Sequence, residues 1–437
     1  MRFFDAPCDV PQLPEPVETD APEGYWPGRW PGEDGGPSRR QVAHLPTYLE
    51  LEGTPAVVSR TSLACTMVVW RSDGELFLLC HSAGDDAVAW VEQLDPLNLA
   101  TIRRSPDLPG GPAWPGGLVA HANGDLYVTF GRHVHRLSTQ LEVLASRILP
   151  RDRPYNSLVV LSDGSLAMKD FGAARPGEDP HVESDDCEVC VVDPGTLEIL
   201  ATAIVPEASV ARLSADGDAI YVVGVTSLWR VHWNAETKST ELAPGFRAFY
   251  RTREGEGYGW DAVLVDGYAW FLNNGVGSQA YQGTLRALGE ASAPECVVRV
   301  DLSSGDVMKY EVCALEGGLV ANPPAVDASR HVVIGYDSGN GVVTAWDYRS
   351  DTRLWTVSIN HGAHPLLFPE EGVVIMNDFD GTSDDCVALS IETGVEVARV
   401  DTGSPVQSVL FLAPGRDSDW YYCSFTTVCR VSFEGLA

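Results

Sequence analysis

Residues 153–170 read Arg-Pro-Tyr-Asn-Ser-Leu-Val-Val-Leu-Ser-Asp-Gly-Ser-Leu-Ala-Met-Lys-Asp. Leu158–Leu161 is a short apolar run with two valines, Asp163-Gly164 is a hairpin turn signal, and Leu166 and Met168 resume an alternating pattern. The stretch predicts strand, tight turn, strand. A hairpin brings its open ends together on the side opposite its turn, and here those ends are polar: Asn156 before the first strand, Lys169 and Asp170 after the second.

Relatives of this unit recur along the chain. They turn at Asp73-Gly74, Asn123-Gly124, Asp216-Gly217, Asp266-Gly267, Glu371-Gly372 and Gly415, each between two apolar runs, with a further pair at Pro324–Asp327 and His331–Ile334. A second signature follows most of them: a strand ending near an acid, a turn, and an outer strand, as in Val297–Asp301 then Val307–Tyr310. Arg136, Arg230, Arg299 and Arg430 recur in the third strand and read as outward arginines shielding an edge. Two hairpins make a four-stranded antiparallel blade of roughly 40 to 50 residues, and serial blades at that period predict an all-β, single β-propeller. The hairpins give about eight blades, with seven as the alternative if the first unit is shared with the N-terminal region. The last unit ends after its third strand, so Gln41–Leu45 or Tyr48–Leu51 is expected to supply the missing outer strand and close the ring. Residues 1–40, rich in Pro, Gly and acids with Tyr25, Trp26 and Trp30, read as an extended lead-in that packs along a surface, and 41–437 as the propeller domain.

Composition limits the partners. The net charge of −31 disfavours nucleic acid and anionic membranes, which need a basic footprint. No run is long and apolar enough to span a bilayer, and Met1–Asp5 does not open a signal peptide, so the expectation is a cytoplasmic protein with free thiols. Cys187 and Cys190 have zinc-like spacing, but positions three apart on a strand point to opposite faces.

In a propeller, the loop entering each innermost strand and the loop leaving each second strand share one face. Polar residues at those places converge on the channel mouth. They include Asn156, Lys169 and Asp170; Asp261 and Asn273; Asn322 and Asp337; and His361, His364, Asn377 and Asp378, with His81 from the first unit. Carboxylate and amide oxygens suit a hard divalent cation such as Ca2+, and imidazole suits a softer one. We therefore read Asn156, Asn273, Asn322, Asp337, Asn377 and Asp378 as candidate metal ligands. His361, His364, Asp170, Lys169 and Asp261 are the candidate catalytic groups. The same strand-end Asn and Asp residues are also turn formers that cap loops. Two insertions, Phe171–Asp186 and Gly275–Glu295, leave second strands on this face as lid candidates, the latter with room for a short helix over Gly283–Glu290.

Arg153-Pro154-Tyr155-Asn156, Ser162-Asp163-Gly164-Ser165 and Asp170 together resemble a segment of the gluconolactonase/regucalcin-like propellers, with Ser157 where that family has Asp. The resemblance implies a metal-dependent lactonase or esterase with Asn156 at the metal and substrate site. The Thr393-Gly394 and Trp355 outer-strand patterns are similar, more distantly, to the docking repeats of eight-bladed quinone-cofactor dehydrogenases. The sequence thus predicts a small-molecule enzyme at the channel mouth, performing metal-assisted hydrolysis of an ester or lactone. The alternatives are a non-catalytic binding or scaffold propeller, and a lyase or isomerase using Asp and His as acid and base.

Overall fold

The repeated hairpins pair as their turns dictate. In the computed structural model, which describes residues 21–172, 186–278 and 281–435, Val159 faces Ala167 and Val160 faces Leu166 across the Asp163-Gly164 turn. Each such hairpin continues into two more antiparallel strands, and the resulting eight sheets form an eight-bladed propeller. The innermost strands are Cys65–Trp70, Gly117–Ala120, Val159–Val160, Ser214–Asp216, Val263–Val265, Ala325–Asp327, Leu366–Phe368 and Leu412–Pro414, in blades 1 to 8. Cys65–Trp70 is buried along its whole length, whereas outer strands such as Val143–Ile148 are exposed or half-buried. Inner strands therefore read as apolar runs, because blades pack on both of their faces. Blade 1 carries a fifth strand, Leu108–Gly111, on the same third strand as Thr101–Arg104.

The ring is closed by an N-terminal strand, which is neither Gln41–Leu45 nor Tyr48–Leu51. Thr54–Thr61 pairs antiparallel with Thr427–Glu434, from Thr54 opposite Glu434 to Thr61 opposite Thr427. Its period-two pattern of exposure fits the outer edge of a blade. Gln41 lies elsewhere, its carbonyl accepting from Leu367 N at 2.9 Å. The expected helix over Gly283–Glu290 is also absent: the stretch is turn and coil, with Gly283 and Ala287 at positive φ. Most of the Phe171–Asp186 insertion lies outside the described residues. Cys187 and Cys190 are buried thiols in different core clusters, as opposite strand faces require.

The recurring arginines do more than shield an edge. Arg136 donates to Gly195 O at 2.6 Å, Arg230 to Leu302 O at 3.1 Å and Arg299 to Tyr348 O at 2.9 Å, each in the next blade. Each faces an aromatic residue across the sheet, Tyr127, Tyr221 and Trp270 respectively. Arg299 lies over the Trp270 ring, 5.6 Å from its centroid, and Arg230 over the Phe246 ring at 4.3 Å, while each ties two blades together. The acids that end third strands cap the following turns: Asp193 Oδ1 accepts from Gly195 N and Thr196 N at 2.9 and 2.8 Å, and Asp301 repeats the pattern.

Trp355 and Gly394 form one such inter-blade contact. The Trp355 indole donates to Ile391 O at 2.8 Å, and its ring lies where a Cβ on Gly394 would be, 2.6 Å from the nearest ring atom. Gly394 also has φ +69°. Gly394→Ala is expected to destabilise the protein by about 1–3 kcal/mol, and Trp355→Ala by about 3–5 kcal/mol. The double variant should lose less than the sum, because both changes remove one shared contact. Chemical denaturation midpoints check this.

Candidate functional site

The residues just before several of the innermost strands face the channel. Arg212, Trp260 and Asp261 precede the strands of blades 4 and 5, Asn322 and His364 those of blades 6 and 7, and Val409–Phe411 that of blade 8. The N-terminal segment enters the ring at the opposite, turn-bearing ends of these strands. Trp26, Trp30, Glu33, Asp34, Arg39 and Gln41 are all buried. The carbonyls of Trp30, Pro31, Pro37, Ser38 and Gln41 accept from Trp70, Ala120, Ala215, Leu264 and Leu367 N, in five different blades. An inner strand otherwise leaves an unpaired edge along the channel, and the segment supplies its partners.

This plug carries a charge cluster to the channel. Arg39 donates to Glu33 Oε2 at 2.8 Å, Asp34 Oδ2 at 3.0 Å, Leu213 O at 2.7 Å and Ser157 Oγ at 3.2 Å. Arg212 meets Glu33 Oε2 at 3.1 Å, and its backbone N–H donates to Asp261 Oδ1 at 2.6 Å. His364 Nδ1 lies 2.9 Å from Asp34 Oδ1 and its ring stacks on Phe411 at 3.9 Å. Burial alone would raise the Asp34 carboxyl, but His364 and Arg39 beside it hold it below the usual range.

Above the cluster is a cavity of about 150 Å³ whose lining includes Trp114, Arg212, Trp260, Asn322, His364 and Phe411. Its rim takes Tyr281 from the second insertion and Phe425 from blade 8. Of the residues expected from the sequence, the structure brings Asp261, Asn322 and His364 to this place. The Asn322 amide donates to Gly362 O and Val409 O.

The others sit in braces between strands and entry loops. Asp170 accepts from Glu188 N at 2.6 Å and Arg153 at 3.2 Å, while Lys169 Nζ donates to Asp170 O and Ser209 O. Burial lowers the Lys169 ammonium from its usual value. Asn156 donates to Val210 O, Asn273 Oδ1 accepts from Cys296 N, and Asn377 Oδ1 accepts from Gly362 N and Ala363 N. Asp337 accepts from Leu319 N and Asn340, and Asp378 from Asn360 N and Arg399. The engaged oxygens of Asp170, Asn273, Asp337, Asn377 and Asp378 serve the backbone in the way the turn-former reading describes, whereas Asn156 is held through its NH₂. His81 is bonded to Ser82 O, with its ring tilted against Phe130 at 5.0 Å. His361 Nδ1 accepts from Asn377 N at 3.1 Å, with its ring against Tyr336.

Sequence reasoning missed Glu33, Asp34, Arg39, Arg212, Trp114, Trp260 and Phe411. Glu33-Asp34-Gly35-Gly36 looks like a solvated loop, and only the neighbouring Trp30 signals that it is buried. Among the described residues, the grouping of His, Cys, Asp or Glu ligand atoms close enough for one ion is Asp34, Asp261 and His364, within 4.8 Å of one another. Two guanidiniums, Arg39 and Arg212, already answer these carboxylates and Glu33.

Neither a protein-family model nor a curated protein sequence matches the chain. Solved structures do. A quinohemoprotein alcohol dehydrogenase from Pseudomonas putida HK5 matches at TM-score 0.62 and 11% identity, over 94% of this chain and 81% of its own. A europium-containing methanol dehydrogenase matches at TM-score 0.59 and 11% identity, over 93% and 98%. The computationally designed protein Ika8 matches at TM-score 0.54 and 13% identity, over 88% and 99%. At identities this low the likeness is one of fold.

Two outcomes follow from the buried charges. Arg39→Met leaves Glu33 and Asp34 without their shared cation and is expected to cost about 3–5 kcal/mol in denaturant unfolding. Burial lowers His361 from 6.5 to about 3, so the native ring stays neutral while the unfolded ring protonates. The stability it contributes is intact above pH 6.5 and drains as pH falls toward 3. Denaturation midpoints across that range should fall less steeply in His361→Gln than in the wild type.

Proposed function

We propose that this chain is a small-molecule enzyme acting at the channel mouth, with His364 as general acid–base and Asp34 as the residue that positions it. The observation that carries the reading is the buried Asp34–His364 contact at 2.9 Å on the cavity wall. A carboxylate on Nδ1 fixes the imidazole's tautomer and leaves Nε2 to exchange a proton with a reacting group. Hydrolysis of an ester or lactone uses these parts directly. His364 Nε2 takes the proton of the attacking water and returns it to the departing alkoxide oxygen as the tetrahedral intermediate collapses. The dehydrogenase neighbours, which are enzymes on the same fold, support an enzymatic use of the propeller.

A second reading places a divalent ion among Asp34, Asp261 and His364, favoured by the 4.8 Å spacing of their ligand atoms. The ion would have to displace Arg39 or Arg212 from the carboxylates they now hold. A multi-ring quinone cofactor does not fit, because a cavity of about 150 Å³ holds one benzene-sized ring.

Turnover of a panel of aryl esters and five- and six-membered lactones, followed by proton release, tests the reading. His364→Ala is expected to lower kcat by about 10²–10⁴-fold, and Asp34→Asn by less. Dialysis against a chelator leaves kcat unchanged if the acid–base reading holds and abolishes it if the ion is required. No turnover of any panel member, or turnover indifferent to His364→Ala, overturns the proposal.

A further inference from the structure

We infer that the cavity takes an uncharged, single-ring molecule with an apolar face and one neutral polar group that donates an N–H at the His364 end. This deepens the reading above and rests on it only in taking the His364 side as the polar end.

Size sets the first limit. The cavity of about 150 Å³ matches an engineered apolar cavity in another protein that binds benzene, so one ring fills it and two fused rings do not.

The walls set the second. Trp114, Trp260, Tyr281, Phe411 and Phe425 surround the space, and aromatic walls favour a flat apolar ring in stacked or edge contact. They are held in place before any ligand arrives: Trp114 stacks on Phe171 at 4.0 Å, and the Tyr281 hydroxyl donates to Gln407 O at 2.6 Å. Little ordering remains to oppose binding.

Charge sets the third. Arg212 is the cation nearest the space, but its guanidinium already meets Glu33 Oε2, Gly116 O and Pro115 O. The Asp34 and Glu33 carboxylates are likewise engaged by His364, Arg39 and Arg212. A carboxylate ligand would find no free cation, and it would approach a chain of net charge −31. An ammonium would have to compete with Arg39 and Arg212 for the nearest acids.

The remaining polar atoms are few. The Asn322 NH₂ is engaged by Gly362 O and Val409 O, which leaves its Oδ1; His364 keeps Nε2. With Nδ1–H given to Asp34, His364 Nε2 accepts, as does Asn322 Oδ1, so one neutral N–H-bearing group on the ligand suits this set. A polyol would carry most of its hydroxyls into an apolar space without partners, each at a desolvation cost.

Calorimetric titration of the full chain with benzamide, benzoate, 2-naphthamide and glucose tests the inference. Benzamide is expected to bind, with the other three at least about tenfold weaker, a difference of about 1.4 kcal/mol. Ala321→Trp fills the cavity and should weaken benzamide at least about tenfold. Should that variant fold poorly, Phe425→Ala widens the rim and should admit 2-naphthamide. Benzoate, glucose or 2-naphthamide binding the wild type as tightly as benzamide overturns the inference, as does benzamide binding unaffected by Ala321→Trp. Benzamide that fails to bind an enzyme whose ester turnover depends on His364 overturns this inference alone. Selective benzamide binding without any ester or lactone turnover upholds it and overturns the acid–base reading.

Discussion

The buried guanidinium of Arg39 is the interaction on which the channel depends. Taking an arginine out of water costs several kcal/mol unless its N–H groups find partners. Here two carboxylates come from the same N-terminal segment, while a hydroxyl and a carbonyl come from blades 3 and 4. The ion is therefore satisfied only when segment and ring are assembled together. The backbone enforces the same dependence, since inner-strand N–H groups of five blades are capped by carbonyls of that segment. An unoccupied channel would leave both the strand edges and the ion without partners.

This arrangement makes the site composite. Asp34 and His364 are 330 residues apart in the chain, and neither reaches the other without the plug in place and the ring closed. The closing pair of Thr54–Thr61 with Thr427–Glu434 holds blade 8, whose entry loop gives the site Phe411. The inter-blade arginine contacts and the Trp355–Gly394 contact fix blade spacing at larger radius, where small angular errors would otherwise add up toward the mouth. Rigidity at the rim thus places side chains at the axis.

The blade count was legible because Asp-Gly and Asn-Gly turns recur between apolar runs, and a hairpin's physics is local. Ring closure was legible in kind but displaced in register. A strand that pairs only at an edge has a weak pattern of its own, and Thr54–Thr61 sets Ala56, Val57 and Val58 among polar residues. The site was legible only in part. His364, Asp261 and Asn322 lie at positions the hairpin geometry marks, but the same geometry marks Asp170, Asn377 and Asp337, which brace backbone amides. No sequence pattern separates an amide that holds a loop from one that faces a cavity. Asp34 and Arg39 carried no signal, because their burial comes from a segment that crosses many blades and forms no regular element beyond a single turn around Glu33–Gly35.

That turn carries the last piece of physical evidence for the plug's purpose. Asp34, Arg39 and Gln41 all have left-handed backbone conformations, with φ of 50°, 53° and 60°, although glycines stand close by at positions 35 and 36. Non-glycine residues in that region cost on the order of 1–3 kcal/mol where their surroundings hold them. Glycine would relieve the backbone at each position, yet it would delete the carboxylate on His364, the guanidinium between two acids, or the buried Gln41 amide. The backbone conformation here follows from where the side chains must go. A plug that merely filled the channel would have no need of three such residues within eight. A plug that must present one carboxylate to one imidazole, with its charge held by a fixed guanidinium, accounts for the two strained residues that carry those groups.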